Sequence, residues 1–216
     1  MRNTLAPLVA LVLTSIVLDS CSPPLQETRL PALDTVTTPF AKVAILPVRQ
    51  EADAHVAASR PDAAPPQQPS EMLENALRVG LGQRGVVVVA PDDLARALGT
   101  NPDDLAHADP SATCEQVAVH HAADAVLDAE VLRFRERRGS DLGAEAPASV
   151  MFRAALWRVS DHALVWRAEF DETQEPISAN VLNAGRYPGG GTRWLTAEEL
   201  LRWGGAETAA RTPLGR

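Results

Sequence analysis

Two short apolar runs, VAILPV at residues 43–48 and VVVV at residues 86–89, decide the fold class together with the segment that precedes the second run. That segment places leucines four residues apart, which predicts an amphipathic helix over residues 71–83 with Ser70 as its N-cap. An apolar run closed by proline and an unbroken run of valines are both typical of strands buried on two faces of a sheet. A strand, a helix and a second strand of these lengths predict a right-handed parallel β-α-β unit.

The rest of the chain adds further helices first and then strands. The predicted elements are a helix from Pro91 to Gly99, a helix from about Thr113 to Ala122, strands over 124–137, 148–159 and 163–172, a hairpin turn at 160–162, and a terminal helix after Thr196. Along the last strand apolar and charged residues alternate, which indicates one covered face and one face open to water. The order β-α-β-α-α-β-β-β-α predicts an α/β sandwich with a mixed sheet, built as one domain over 42–216.

The amino terminus has the features of a secretory leader. Arg2 precedes an apolar run over 5–18, which is too short to span a bilayer and suits the hydrophobic part of a signal peptide. The run ends in LDSC, which resembles the lipobox of bacterial lipoproteins, where the cysteine becomes the lipidated first residue. We therefore expect a signal peptide over 1–20 and a lipid at Cys21. In the lipoproteins that this motif resembles, an Asp directly after the cysteine signals retention at the inner membrane. Ser22 stands at that position, which favours a location at the outer membrane, facing the periplasm.

Two stretches lack the apolar periodicity of helices and strands. After Cys21, the residues up to 41 are rich in proline and threonine, which predicts a flexible tether between lipid and body. Residues 49–69 are rich in alanine and proline, and a loop of this length and composition is expected to be disordered.

The charge balance argues against one large class of function. The chain has 20 basic and 28 acidic residues, a net charge of -8, and Lys42 is its only lysine. A protein of this charge has no general attraction for a phosphate backbone. We therefore expect no nucleic-acid partner.

Several of these segments together resemble a known superfamily. They are the strand at 43–47, the helix before the valine run, Ala123-Asp124-Ala125-Val126-Leu127, and the hairpin at 161–166. Together they resemble the periplasmic lipoproteins that include the curli-secretion pore lipoprotein, the lipoprotein activators of penicillin-binding proteins and the amino-terminal domain of the Tol-system translocation protein. In addition, FDETQ at 170–174 and WLTAEEL at 194–200 are similar to uncharacterised bacterial lipoproteins. The resemblance implies an accessory role in envelope assembly.

The acidic residues of the last strand are the candidates for catalysis. Glu169, Asp171 and Glu172 lie within four residues, and the first two share a strand face, so they suit acid-base chemistry on an envelope polymer. The alternative is a solvated strand face on which Arg167 offsets part of the repulsion. We predict no metal or cofactor site, because no recognised ligand spacing is present.

Two further features have structural explanations as well as functional ones. Cys114 has no obvious intramolecular partner if Cys21 carries lipid, and we expect it to be buried and unreactive. The basic stretch contains Arg133, Arg135, Arg137 and Arg138, which could meet an acidic partner or lipid headgroups, or could protect a solvated strand edge.

These observations favour a lipid-anchored, non-catalytic periplasmic lipoprotein that binds another envelope protein. Docking is expected at exposed strand edges or along the segment from Phe170 to Trp194. The candidate partner-binding residues are Phe170, Asp171, Glu172, Gln174 and Trp194. The alternative is an envelope-polymer hydrolase that uses the carboxylates of the last strand.

Overall fold

A computed structural model describes residues 25–30, 39–51, 67–175, 187–189 and 192–214. Its strands are β1 (Leu25–Arg29), β2 (Lys42–Ile45), β3 (Arg49–Gln50), β4 (Val87–Val89), β5 (Ala125–Arg135), β6 (Arg138–Gly139), β7 (Ala144–Ala146), β8 (Ser149–Arg158) and β9 (Ala163–Thr173). Its helices are α1 (Pro69–Gln83), α2 (Pro91–Leu98), α3 (Pro102–His107), α4 (Pro110–Val119) and α5 (Ala197–Arg211). No helix in the described ranges has both the length and the apolar character needed to cross a membrane.

Seven of the described strands form one mixed sheet in the order β1-β9-β8-β5-β2-β4, with β3 paired to β5 beyond the end of β2. Strands β2, β4 and β5 are parallel neighbours, whereas β5, β8, β9 and β1 are antiparallel. Strands β6 and β7 form a separate two-stranded hairpin in the segment of the chain that joins β5 to β8. The predicted mixed α/β fold with one domain and a parallel β-α-β unit is confirmed.

One face of the sheet is covered by α1 and α5, and the main core lies beneath them. Phe152 of β8 and Phe170 of β9 are fully buried there, and their rings stack with centroids 5.1 Å apart. The two helices approach closely because glycine faces alanine at their contacts: a Cβ added at Gly205 would lie 2.6 Å from the Cβ of Ala76. The terminal helix begins with the predicted capping box, in which the side chains of Thr196 and Glu199 each bond the other residue's backbone N–H.

The other face is covered only at its β2 end by described helices. A second cluster of buried apolar residues lies there, formed by α2, α3 and α4 against β2 and the first half of β5. Each of these three helices begins with a proline, whose fixed φ suits the first helical position. Beyond this cluster the sheet face carries charged residues.

Several predicted boundaries were wrong. Ser70 lies inside α1, whose N-cap is Gln68, and the helix predicted to start at Thr113 begins at Pro110 with the Asp109 carboxylate accepting the Ser111 N–H. A helix at 102–107 was missed. Strand β4 lies at the sheet edge, where Val87 is 61% exposed, so the valine run is not covered on two faces.

The predicted tether over 21–41 contains a strand. Residues 25–29 form β1, which is antiparallel to β9 and starts with the buried side chain of Leu25. This segment is mostly polar and lacks the apolar alternation that predicts a strand, so only its pairing with β9 identifies it as one. The predicted disordered loop over 49–69 likewise starts with the short strand β3 and ends at the first residue of α1, and its residues 52–66 lie outside the described ranges.

Candidate functional site

The part of the second sheet face that no described helix covers forms a charged groove. On β5 the residues that point to this face change from buried Val126 to Asp128 and Glu130, and on β8 they change from Trp157 to Arg153. Such a change marks where the cover of α2 and α4 ends, because charged side chains remain hydrated only where no layer packs on them.

Residues of five strands, β1, β3, β5, β8 and β9, line the groove, which has a volume of about 630 Å³. Its floor is set by cross-strand register, which places Asp128 opposite Ala155, Ala155 opposite Arg167, and Arg167 opposite Thr28. Ala155 therefore leaves a gap between an acidic and a basic residue, since its methyl group is the smallest side chain of that row. The indole of Trp157 lines one end of the groove, and Thr28 of β1 lines its far side.

Three ion pairs orient the acidic side chains of the groove. Arg49 donates from Nη1 to Asp128 Oδ1 at 2.6 Å and from Nη2 to Asp128 Oδ2 at 2.9 Å, and its Nε lies 3.7 Å from Glu130 Oε1. The hydrogen bond to Asp128 raises the pKa of Arg49. In the next row Arg153 Nε donates to Glu169 Oε2 at 2.7 Å. The Arg49–Asp128 pair, with its two hydrogen bonds, is more rigid than the Arg153–Glu169 pair, whose side chains are more exposed.

Arg167 differs from the other two arginines of the groove. It is exposed, and no ion pair or side-chain hydrogen bond joins it to any residue in the described part of the chain. A guanidinium without a carboxylate partner can bind a carboxylate or phosphate of another molecule through two parallel hydrogen bonds. Arg167 is therefore the groove residue best suited to an external acidic group.

The three carboxylates predicted for catalysis do not converge. Glu169 lies in the groove, and Asp171 lies on the same face, where Arg133 Nη2 donates to it and Arg133 Nε donates to Ser149 Oγ at 2.7 Å. Glu172 points to the opposite face and is 4% exposed.

The remaining predicted docking residues hold the carboxy-terminal segment against the sheet. Glu172 Oε1 accepts the Tyr187 hydroxyl at 2.7 Å. Gln174 accepts the Leu195 N–H at 2.6 Å and donates to the Arg193 carbonyl at 2.9 Å.

Burial sorts the five predicted partner-binding residues into two groups. Phe170, Glu172 and Gln174 are buried and explain how the tail folds back, so none of them offers a docking surface. Asp171 and Trp194 are accessible, and a partner contact at these two residues stays a prediction.

The two cysteines differ in what the structure shows. Cys21 lies outside the described residues. Cys114 on α4 is fully buried, and burial raises the pKa of its thiol to about 12, so the thiol stays protonated at neutral pH.

Sequence reasoning missed the groove residues Arg49, Asp128, Glu130 and Arg153. The signal lay in the alternation of β5, where Asp128 and Glu130 interrupt an otherwise apolar strand. Their neighbours could not be inferred, because the partner of a strand residue depends on the register of pairings with distant segments. The expectation that the basic stretch protects a strand edge was wrong for Arg133 and Arg135, because they lie on β5, which is in the middle of the sheet.

Comparison with known proteins yields structural likenesses only. No protein-family model matches the chain, and no curated protein sequence matches it. Among solved structures, the PelC dodecamer from Paraburkholderia phytofirmans is 21% identical, with 85% of this chain and 91% of that chain covered and a TM-score of 0.43. The lipoprotein GNA1162 from Neisseria meningitidis is 17% identical over 62% of this chain and 84% of that chain, with a TM-score of 0.40. The LpoB C-terminal domain from Escherichia coli is 16% identical over 66% and 90%, with a TM-score of 0.39. At these identities and TM-scores the likeness does not place the chain in a family.

Proposed function

We propose that this chain is a lipid-anchored lipoprotein of the outer membrane, facing the periplasm, that binds another envelope protein through the charged groove without catalysing a reaction. The leader and Cys21 support the address. The observation that carries the binding role is the groove itself, in which ion pairs flank Arg167, an arginine without a partner among the described residues.

The arrangement favours binding over hydrolysis of an envelope polymer. A glycoside hydrolase needs one carboxyl group that is protonated and a second that is free, both facing the scissile bond. Here Glu169 and Asp171 are each bonded to an arginine, and Glu172 lies on the other side of the sheet, so these three residues do not offer such a pair facing one scissile bond. Charged groups that neutralise each other suit recognition, because they are already oriented when a ligand arrives.

The groove suits an acidic segment of a partner protein. Its carboxylate would pair with Arg167, and its backbone or side chain would fill the gap above Ala155. The neighbouring acids Asp128 and Glu169 already have arginine partners, so they repel an incoming carboxylate less than free acids would.

Crosslinking in intact cells tests the proposal. A photoreactive amino acid at Ala155 should capture a partner, whereas the same group at exposed Val119, outside the groove, should not capture it. Arg167→Ala should abolish capture from position 155. The matched control is Arg78→Ala, which removes an exposed arginine of α1 that donates a hydrogen bond to Asn75 and lies outside the groove.

Three outcomes decide between the alternatives. Equal capture from positions 155 and 119 would argue against the groove as the docking site. Polymer cleavage by the purified protein that is lost in Glu169→Gln, with folding intact, would establish the hydrolase instead. A mass spectrum of the mature protein without a diacylglycerol on Cys21 would remove the lipid-anchored address.

A further inference from the structure

The lipid attachment site and the first strand are separated by only three residues. Strand β1 begins at Leu25, whose side chain is buried against the main core and whose backbone pairs with Phe170 near the end of β9. A trans chain extends at most about 3.6 Å per residue, so the Cα atoms of Cys21 and Leu25 lie no more than about 14 Å apart. A lipid on Cys21 therefore holds one end of the sheet close to the bilayer.

The antiparallel pairing shows which surface lies at that end. Strands β5 and β9 end there and β8 starts there, so the β6-β7 hairpin, which continues from β5 and β8, projects from the same end. At the turn of this hairpin Leu142 is 85% exposed. Val119, at the end of α4, precedes the start of β5 and so lies at the other end of the sheet. The 11 residues of β5 separate the two ends by about 35 Å at the usual rise per residue.

The hairpin is held in place against the carboxy-terminal segment. The Trp194 N–H donates to the Asp141 carbonyl at 2.8 Å, and Arg137 donates to the Trp194 carbonyl. These hydrogen bonds hold the turn that carries Leu142 against the carboxy-terminal segment.

We propose that this end of the sheet rests on the bilayer surface, with Leu142 in the interfacial region of the lipids. The inference depends on the proposed lipid at Cys21 and goes beyond it, because a lipid on a long tether would leave the body free to turn. A leucine side chain is stabilised when it leaves water for an apolar environment, and this adds to the binding provided by the anchor.

The charges at this end indicate which lipids it tolerates. Residues 135–145 carry three arginines and three acidic residues, so the two signs balance; they are Arg135, Arg137, Arg138, Glu136, Asp141 and Glu145. We therefore expect docking on a zwitterionic bilayer without a need for anionic lipid.

Depth-dependent quenching on the full lipoprotein tests the orientation. The protein is reconstituted into phosphatidylcholine vesicles that contain a lipid with a headgroup nitroxide, and a thiol-reactive dye is placed by Leu142→Cys or, as the control, by Val119→Cys. Native Cys114 does not compete for the dye because it is fully buried. We expect emission to be lost at position 142 and kept at position 119.

A second variant tests the cause of the orientation. Inserting about 12 Gly and Ser residues between Cys21 and Leu25 adds about 20 Å of average reach, which should restore emission at position 142.

The outcomes separate this inference from the proposed function. Mass spectrometry of the same sample reports the lipid at Cys21. A lipidated protein whose two dyes are quenched equally, or whose quenching at 142 survives the insertion, overturns the orientation and leaves the anchor in place. A protein without the lipid overturns both.

Discussion

Replacement of Gly205 by alanine tests the close contact between α1 and α5. The added Cβ would lie 2.6 Å from the Cβ of Ala76 and 3.3 Å from a terminal carbon of Leu73. The leucine end can move, but the alanine Cβ is fixed to the backbone of α1, so the two helices must separate. That separation disturbs the core beneath them.

Two opposing effects set the size of the change. Overpacking of a core contact costs about 1–3 kcal/mol, and the upper part of that range applies because nothing flexible can relieve the contact. Replacing glycine by alanine inside a helix returns up to about 1 kcal/mol. The free energy of unfolding of Gly205→Ala should therefore fall by about 2 kcal/mol, which corresponds to about 4–8 °C in Tm for a chain of this length.

A compensating substitution removes ambiguity about the cause. Ala76→Gly alone should cost about 1 kcal/mol, but in the double variant Ala76→Gly/Gly205→Ala the short contact is gone and the two helix effects cancel. The double variant should unfold within about 1 kcal/mol of the parent in urea titrations, where additivity would give a loss of about 3 kcal/mol. The control Gly82→Ala, whose added Cβ has no atom within 4 Å, should be neutral or stabilising. An additive double variant would refute the packing argument.

Three further predictions follow from single contacts. The hydrogen bond from Arg193 is the main cause that lowers the pKa of Glu199 to about 2; since this lies below the usual 4.5, the stabilisation is present above about pH 4.5 and lost as the pH falls toward 2. Glu199→Gln should therefore be less stable than the parent by about 0.5–1 kcal/mol at pH 7 but not near pH 2, and an equal gap at both pH values would contradict the pairing. Cys114 should react with maleimide only after denaturation, and rapid labelling of the folded protein would show that the thiol is accessible. Asp124→Ala should cost about 1–2 kcal/mol, because its carboxylate accepts the N–H groups of Ala41 and Lys42 at 3.0 and 2.9 Å; Asp124→Asn keeps an acceptor and should lose less, which calorimetry can measure.

The sequence predicted the elements that have a strong period of their own. The leucines of α1 and the alternation along β9 were sufficient to place both elements, because burial of one face determines the pattern. The capping box of α5 was equally local, and the structure contains it. Elements without such a pattern were missed, namely the six-residue helix α3 and the short strands β1, β3, β6 and β7.

The groove could be predicted only in part, for the same reason. Arg167 and Glu169 were expected on a solvated face, and that face is one wall of the groove. What turns the face into a site is the bond between Arg49 and Asp128 and the gap over Ala155. Both depend on residues that lie far apart in sequence and meet only through the register of β5 with β3 and β8. Alternation along one strand predicts which way a side chain points but not which side chains stand beside it.

Strand β1 would connect a lipid at Cys21 to the groove. Thr28 lines the groove and lies seven residues after Cys21, so an extended chain can separate the two Cα atoms by at most about 25 Å. If Cys21 is lipidated, the groove is therefore confined to a layer next to the bilayer, and a partner has to enter that layer to bind. A partner that is itself held at the membrane already lies in this layer, so it loses less translational freedom on binding than a partner from solution. Its local concentration near the groove is correspondingly high. Under that condition a weak contact through Arg167 would be sufficient for binding, as expected for a site whose described residues offer one unpaired charge in place of a large apolar surface.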